Sequence, residues 1–257
     1  VLNTLAGKLT YSNFVNGEKN LTGYVKIADG LTASSKAMQT GDISFSSEDG
    51  KGRLKDGSIA PGLTYPETQT PESSKLNNAI TGDAKADYQY KKDGILKKDG
   101  SYVFTQDPTK IEVENGAAVS AVNKNINIDT TKAKLVLKGK DAGIHANGAD
   151  VAVKGNTDIS GEIGINAANG SVTLNGSTNI TGGNNGKGIA IIAGKDGKVD
   201  VNSNNGALTI NGDINANGGS ITVDSGNASS TIKGDVNAAN GGSVVINLTE
   251  KNSELTG

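Results

Sequence analysis

The sequence predicts an all-β protein: a right-handed parallel β-helix with about three short strands per coil of about 22 residues, and an irregular insertion. Two observations predict this fold. A short phrase recurs along the second half of the chain at a nearly constant interval, and short alternating segments fill the space between its copies. A third observation, the absence of bulky side chains after residue 104, indicates a narrow interior.

The recurring phrase consists of an aliphatic residue, Asn or His, one or two Ala, Asn-Gly and then an alternating strand. Its copies are GIHANGADVAV (143–153), GINAANGSVTL (164–174), DINANGGSITV (213–223) and DVNAANGGSVVI (235–246). The corresponding strands open at Val151, Val172, Val199, Ile221 and Val244. Their spacings are 21, 27, 22 and 23 residues, and a repeat of about 22 residues with insertions is typical of stacked coils.

Other short segments alternate apolar and polar residues and end in Gly, Asn or Asp, which predicts a strand followed by a turn. They are INID (126–129), KLVLKG (134–139), TDISG (157–161), STNITG (177–182), ALTING (207–212) and STIKGD (230–235). Asn and Gly suit the corners, because both tolerate the left-handed backbone conformation. The spacing argues against a left-handed β-helix, which needs a strict six-residue period, and an antiparallel sandwich remains as the alternative.

Composition changes near residue 109. All nine aromatic residues lie between Tyr11 and Phe104, and all four prolines precede residue 109, whereas most asparagines follow it. We therefore divide the chain into N-terminal coils or a strand-rich cap (1–58), a loop and hairpin projection (59–110) and a regular parallel β-helix (111–257). In the first segment Tyr24, Ile27, Ile43 and Phe45 are the expected interior residues.

The charge distribution and composition exclude several classes of function. A net charge of −2 and a single arginine, Arg53, argue against nucleic acid as a partner, because phosphate binding needs a basic surface. No apolar run reaches the roughly 20 residues of a membrane-spanning helix. The chain has no cysteine, which is consistent with bacterial export.

Residues suited to catalysis are few. The single histidine, His145, aligns with Asn166, Asn215 and Asn237, so we interpret it as a corner residue and not as a general base. The acidic residues are spread among corners, without the converging pair that a glycoside hydrolase needs. The segment AGKDGKVDV (193–201) resembles one calcium-binding nonapeptide but does not recur in tandem, which favours a turn and a strand. We expect no enzyme activity, no cofactor and no metal site.

Tyrosines in or beside the projection are the candidate ligand-binding residues. A tyrosine offers a flat apolar face and a hydroxyl group to a sugar or a protein, although packing in the core is the alternative for each of them. The candidates are Tyr65, Tyr88, Tyr90 and Tyr102. Lysines such as Lys134 and Lys138 flank Leu135–Leu137 and are interpreted as outward positions of a strand.

The corner phrase NAANG and the final text SVVINLTEKNSELTG together resemble the passenger domain of a bacterial autotransporter (type V secretion). The segment LTGYVKIADGLTASSKAMQTGDISFSSEDGKG further resembles large fusobacterial surface adhesins. The likeness covers roughly residues 111–257, is weaker for 1–58 and does not extend to 59–110. It implies an extracellular protein of the outer membrane whose anchoring barrel belongs to a longer parent chain. Protease passengers carry a Gly-Asp-Ser-Gly-Gly motif, which this chain does not have.

The resemblance implies a virulence-related adhesin segment, a monomeric β-helical stalk that presents a binding surface. Its expected partner is a protein or glycan on a host cell or another bacterium, and membrane contact would be only through the missing barrel. A purely structural or self-associating spacer is the first alternative. A polysaccharide lyase or hydrolase is the second, because such enzymes also use this fold.

Overall fold

A computed structural model describes residues 74–257, except 205, 227, 249 and 251, together with five strand segments that precede residue 74. The chain divides into two compact units, Val1–Glu72 and Ser73–Gly257. The expected interior residues Tyr24 and Ile43 lie outside the described residues, and the side chains of Ile27 and Phe45 do as well.

The described strands of the first unit pair in antiparallel fashion. β1 pairs with β3, β3 with β2, and β4 with β5. Their bounds are β1 Leu2–Leu5, β2 Lys26–Ile27, β3 Gly30–Ala33, β4 Phe45–Ser46 and β5 Arg53–Leu54.

The second unit contains nineteen described strands, one short helix and one 3₁₀ turn. In chain order they are β6 Ser74–Leu76, α1 Tyr88–Lys92, β7 Tyr102–Val103, β8 Thr109–Val113, β9 Ala117–Ala121, β10 Ile126–Gly139, β11 Ala142–Asn147, β12 Val151–Gly161, β13 Ile163–Ala168, β14 Ser171–Asn175, β15 Thr178–Gly182, the 3₁₀ turn Asn184–Gly186, β16 Ile189–Ala193, β17 Lys198–Asn202, β18 Leu208–Asn211, β19 Asp213–Asn217, β20 Ser220–Asp224, β21 Ser230–Lys233, β22 Val236–Ala239, β23 Ser243–Asn247 and β24 Glu254–Thr256. No helix among these residues is both long enough and apolar enough to cross a bilayer.

These strands stack in three files, and each described pairing between them is parallel. File 1 contains β7, the first part of β10, the first part of β12, β14, β17, β20 and β23. File 2 contains β6, β8, the second parts of β10 and β12, β15, β18, β21 and β24. File 3 contains β9, β11, β13, β16, β19 and β22.

The predicted parallel β-helix is confirmed, with about 7 turns of about 23 residues each. The five predicted strand openings from Val151 to Val244 stand in register as one row of file 1. Each new coil therefore places the same sequence position above its counterpart in the preceding coil, which is why the repeat could be read from the sequence.

The interior is filled by rows of aliphatic side chains. Val172 and Leu174 of file 1, Ile180 of file 2 and Ile165 of file 3 are fully or almost fully buried. Burying such a side chain contributes about 1.5–3 kcal/mol. Because neighbouring strands of a sheet lie only about 4.8 Å apart, each interior residue must match the shape of the one below, and small aliphatic residues meet that condition along the regular coils.

Corners between files use left-handed backbone at Asn and Gly. Asn169 and Asn240 have φ of 49° and 52° at the turn before file 1. Several glycine amides at corners donate to the next coil, for example Gly148 N to Asn169 O at 3.0 Å and Gly176 N to Asn202 O at 2.9 Å. The corners are therefore hydrogen-bonded from one coil to the next, and they continue the sheet pairing.

The interpretation of His145 as a corner residue needs correction. His145 lies inside β11 of file 3, in register with Asn166 of β13. The same row continues through Ile192, Asn215 and Asn237, and the last two are joined by a hydrogen bond between their side chains of 2.8 Å. The alignment of these residues was correct, but the phrase begins in the strand, and the corner follows at Asn-Gly.

Candidate functional site

A hairpin inserted in the first coil overhangs the outer surface of file 1. Val103 N donates to Ile95 O at 2.9 Å, and Lys97 N donates to Ser101 O at 2.8 Å. The returning arm, β7, is itself the first strand of file 1 and pairs with β10. In the loop and hairpin projection predicted for 59–110, a hairpin thus forms over 95–103, whereas Lys91 and Lys92 lie in α1. The pairing of β7 with β10 joins the end of this hairpin to the solenoid.

The hairpin and the outer face of file 1 border an open groove of about 370 Å³. Its polar lining comes from the hairpin and from three successive coils. These polar residues are Asp99, Ser101, Asn127, Asp129, Lys154 and Asn175.

Strand register explains why residues so distant in sequence meet there. Asp129 of β10 is in register with Val103 on one side and with Lys154 of β12 on the other, and Lys154 is in register with Asn175 of β14. Residues two apart on a strand share a face, so Asn127 belongs to the same outward face as Asp129. Ala152 stands beside Asn127, and its short side chain leaves room in the groove.

Both acidic groups of the groove are held as carboxylates. The Ser101 hydroxyl and amide donate to Asp99 Oδ1 at 2.6 and 2.9 Å, and these bonds lower the pKa of Asp99. The Thr131 hydroxyl and amide donate to Asp129 Oδ1 at 2.7 and 3.0 Å and lower the pKa of Asp129, with a further contribution from the charge of Lys154. Their geometry is fixed before any ligand arrives.

The four tyrosines proposed as ligand-binding residues occupy different environments. Tyr65 lies outside the described residues. Tyr88 on α1 is 46% exposed and remains available at the surface. Tyr90 and Tyr102 are buried and pack edge to face, with ring centroids 5.9 Å apart. Burial gives these two rings a role in the core and removes them from any surface that a ligand could reach.

A buried carboxylate, Asp87, organises this aromatic core. Thr81 donates its amide at 3.0 Å and its hydroxyl at 2.7 Å, Gly82 donates its amide at 2.8 Å, and the Tyr102 hydroxyl also donates to Asp87. Asp87 is the residue that precedes α1 and is fully buried. We define Thr81, Gly82, Asp87, Tyr90 and Tyr102 as the Asp87 cluster. The Asp87 cluster joins the segment before α1, α1 itself and the end of the hairpin at Tyr102.

Alkaline titration should reveal the Asp87 cluster. Burial, followed by the nearby charge of Asp87, raises the pKa of Tyr90 above the ordinary 10.0, and burial with the hydrogen bond to Asp87 raises the pKa of Tyr102. The folded state therefore keeps these protons at pH values where the unfolded chain releases them. Their contribution to stability is complete below pH 10.0 and is lost as the pH rises above it, by up to about 1.4 kcal/mol per pH unit for each tyrosine.

The measurement is the urea midpoint between pH 9 and 11 for the native chain and for Tyr90→Phe. The phenylalanine variant should lose stability less steeply with pH, because its ring has no proton to release. Equal slopes would contradict the assignment.

Charged side chains described in residues 74–257 form ion pairs between neighbouring coils. Outside the four undescribed positions, no group of three or more His, Cys, Asp or Glu side chains is placed to hold a metal ion. In AGKDGKVDV, Asp196 has a φ of 57° in a turn, and β17 follows it. Lys134 contacts Asp158 at 2.9 Å and Lys138 contacts Glu112 at 3.6 Å, across neighbouring coils.

Sequence reasoning did not identify the residues of the groove as a site. Alignment of the repeats could have placed Asp129, Lys154 and Asn175 in one outward row. It could not have placed Asp99 against that row, because the insertion has no counterpart in the repeat. Comparison with protein-family models, with curated proteins and with solved structures found no match for this chain.

Proposed function

We propose that this chain is a segment of a bacterial cell-surface adhesin, a β-helical stalk that presents a binding surface to a protein or glycan of another cell. The resemblance to autotransporter passengers supports this proposal, and it implies a location outside the outer membrane. Binding occurs by surface complementarity, without a reaction and without a cofactor.

The observation that carries the proposal is the groove on an otherwise continuous solenoid. Along the regular coils the interior is occupied by aliphatic rows such as Val151, Val172, Val199 and Ile221, which are at most 1% exposed. Such a scaffold depends on its inward residues and its corners, so its outward rows are free to vary. A rigid scaffold that carries a groove lined by polar residues suits a stalk that displays a binding site.

A purely structural or self-associating spacer, in which the outward faces of two copies of the chain pair with each other, is the second candidate.

Beads coated with the chain distinguish the two candidates. We expect coated beads to attach to epithelial or bacterial cells at least about tenfold more often than beads coated with albumin. Clumping of the beads with each other would instead favour the spacer. Attachment no greater than that of the albumin beads would contradict adhesion by this segment.

A further inference from the structure

We propose that the groove between the hairpin and file 1 binds a neutral saccharide unit, with Asp99, Asn127, Asp129, Lys154 and Asn175 as its hydrogen-bonding residues. This inference rests on the proposed function only in assigning the bound sugar a role in adhesion. The site itself depends only on the residues that line the groove.

The lining offers both kinds of hydrogen-bonding group that sugar hydroxyls need. A hydroxyl group both donates and accepts. Asp99 and Asp129 accept, Lys154 donates, and the amides of Asn127 and Asn175 do both. Hydrogen bonds to charged groups are roughly twice as strong as those between neutral groups. The carboxylates are already oriented by Ser101 and Thr131, so a sugar would bind without reordering them.

Charge selects among glycans. The hydrogen bonds that lower the pKa values of Asp99 and Asp129 keep both carboxylates ionised, and the nearby positive charges of Lys97, Lys132 and Lys154 act on these two carboxylates. A sulfated or carboxylated glycan would bring like charge close to these groups, which is unfavourable. The preferred ligand is therefore uncharged at the bound unit.

The shape of the groove depends on Ala152. Its neighbours along the same outward row are Asn127 before it and Thr173 after it. The small side chain of Ala152 leaves the floor open between the hairpin and Lys154. A long side chain at this exposed position would occupy the groove without entering the core.

The test is binding of a printed panel of neutral and acidic oligosaccharides, followed by titration of the best neutral trisaccharide into the full chain. In amide correlation NMR spectra, the shifts should centre on residues 99–103, 127–129 and 152–154. Ala152→Arg should weaken binding at least about tenfold, equivalent to about 1.4 kcal/mol. Asp129→Asn should weaken it as well.

Thr222→Arg is the matched control, because Thr222 belongs to the same outward row through Thr173 and Asp200 but lies outside the groove. It should bind the trisaccharide as the native chain does. No neutral glycan bound, preferential binding of acidic glycans, or unchanged affinity in Ala152→Arg would each overturn the proposal.

The bead assay separates this inference from the proposed function. Beads that attach to cells although the chain binds no neutral glycan would leave adhesion standing and overturn the saccharide site. Binding of the trisaccharide by a chain whose beads do not attach would support the site and remove the adhesive role.

Discussion

Gly182→Ala is expected to lower the free energy of unfolding by about 4 kcal/mol or more, an exceptional value for one methyl group. Gly182 ends β15 at the corner between files 2 and 3, in register with Gly161 of the coil below. A β-carbon at Gly182 would overlap the backbone of Ile189 and Ala190, well inside the 3.0 Å limit that real β-carbons respect. Backbone on a stacked coil cannot retreat without disturbing the coils on both sides.

The same substitution at Gly194 is the control. There an added β-carbon would lie 3.5 Å from the β-carbon of Ala168, an ordinary contact. Gly194→Ala should change stability by no more than about 0.5 kcal/mol. Urea denaturation followed by circular dichroism measures both variants, and a Gly182→Ala protein as stable as Gly194→Ala would contradict the close packing of this corner.

Asp87→Ala is expected to destabilise the first coil by about 3–5 kcal/mol. The substitution leaves the Thr81 and Gly82 amides and the Tyr102 hydroxyl without their acceptor in a site from which water is excluded. A buried donor without a partner costs about 1–3 kcal/mol, and here several lose their partner together. The loss should appear as reduced protection from hydrogen exchange in residues 78–104.

Asp93→Ala serves as the matched control for Asp87→Ala. Asp93 follows α1 and is exposed, and its carboxylate accepts one hydrogen bond from the side-chain amide of Gln89, Nε2 to Oδ2, at 2.8 Å. Its removal should cost about 0.5 kcal/mol or less. Hydrogen-exchange protection that stays unchanged in Asp87→Ala would show that the Asp87 cluster does not hold the insertion.

The Asp87 cluster also changes what deletion of the insertion is expected to do. A projection that made no contact with the core could be removed without loss of the fold. Residues 59–110, however, include the buried side chains of Ile80, Tyr90, Tyr102 and Phe104. Deleting this segment would uncover the end of the aliphatic interior at Ile111 and Val119, so substitutions in the groove are the better test of binding.

The solenoid could be predicted because the residues that set the strand register recur at the same position of successive coils. Val199, Ile221 and Val244 are far apart in sequence, yet a nearly constant interval makes them neighbours, and alternation fixes which face is inward. The corners could be predicted at Asn-Gly because few residues other than Gly and Asn adopt the left-handed backbone conformation.

The insertion could not be predicted in this way because it occurs once. No second copy shows that Asp99 faces Asp129, or that Asp87 is buried by Tyr102. The hydroxyl groups of the tyrosines suggested that these residues are exposed and bind a ligand. In the first coil, however, Tyr90 and Tyr102 fill the interior. Long-range contacts of unique segments are set by packing, which single-sequence patterns do not encode.

Hydrogen bonding at the corners bears on how long this molecule survives chemically. Asn-Gly links are where polypeptides deamidate most readily, because the glycine nitrogen attacks the neighbouring side-chain amide and closes a succinimide ring. At Gly148, Gly176, Gly212 and Gly218 that nitrogen donates instead to a carbonyl oxygen of the following coil, at 2.8–3.0 Å. At these four links the hydrogen bonds between coils thus also withhold the attacking nitrogen, and they slow deamidation while the coils remain stacked.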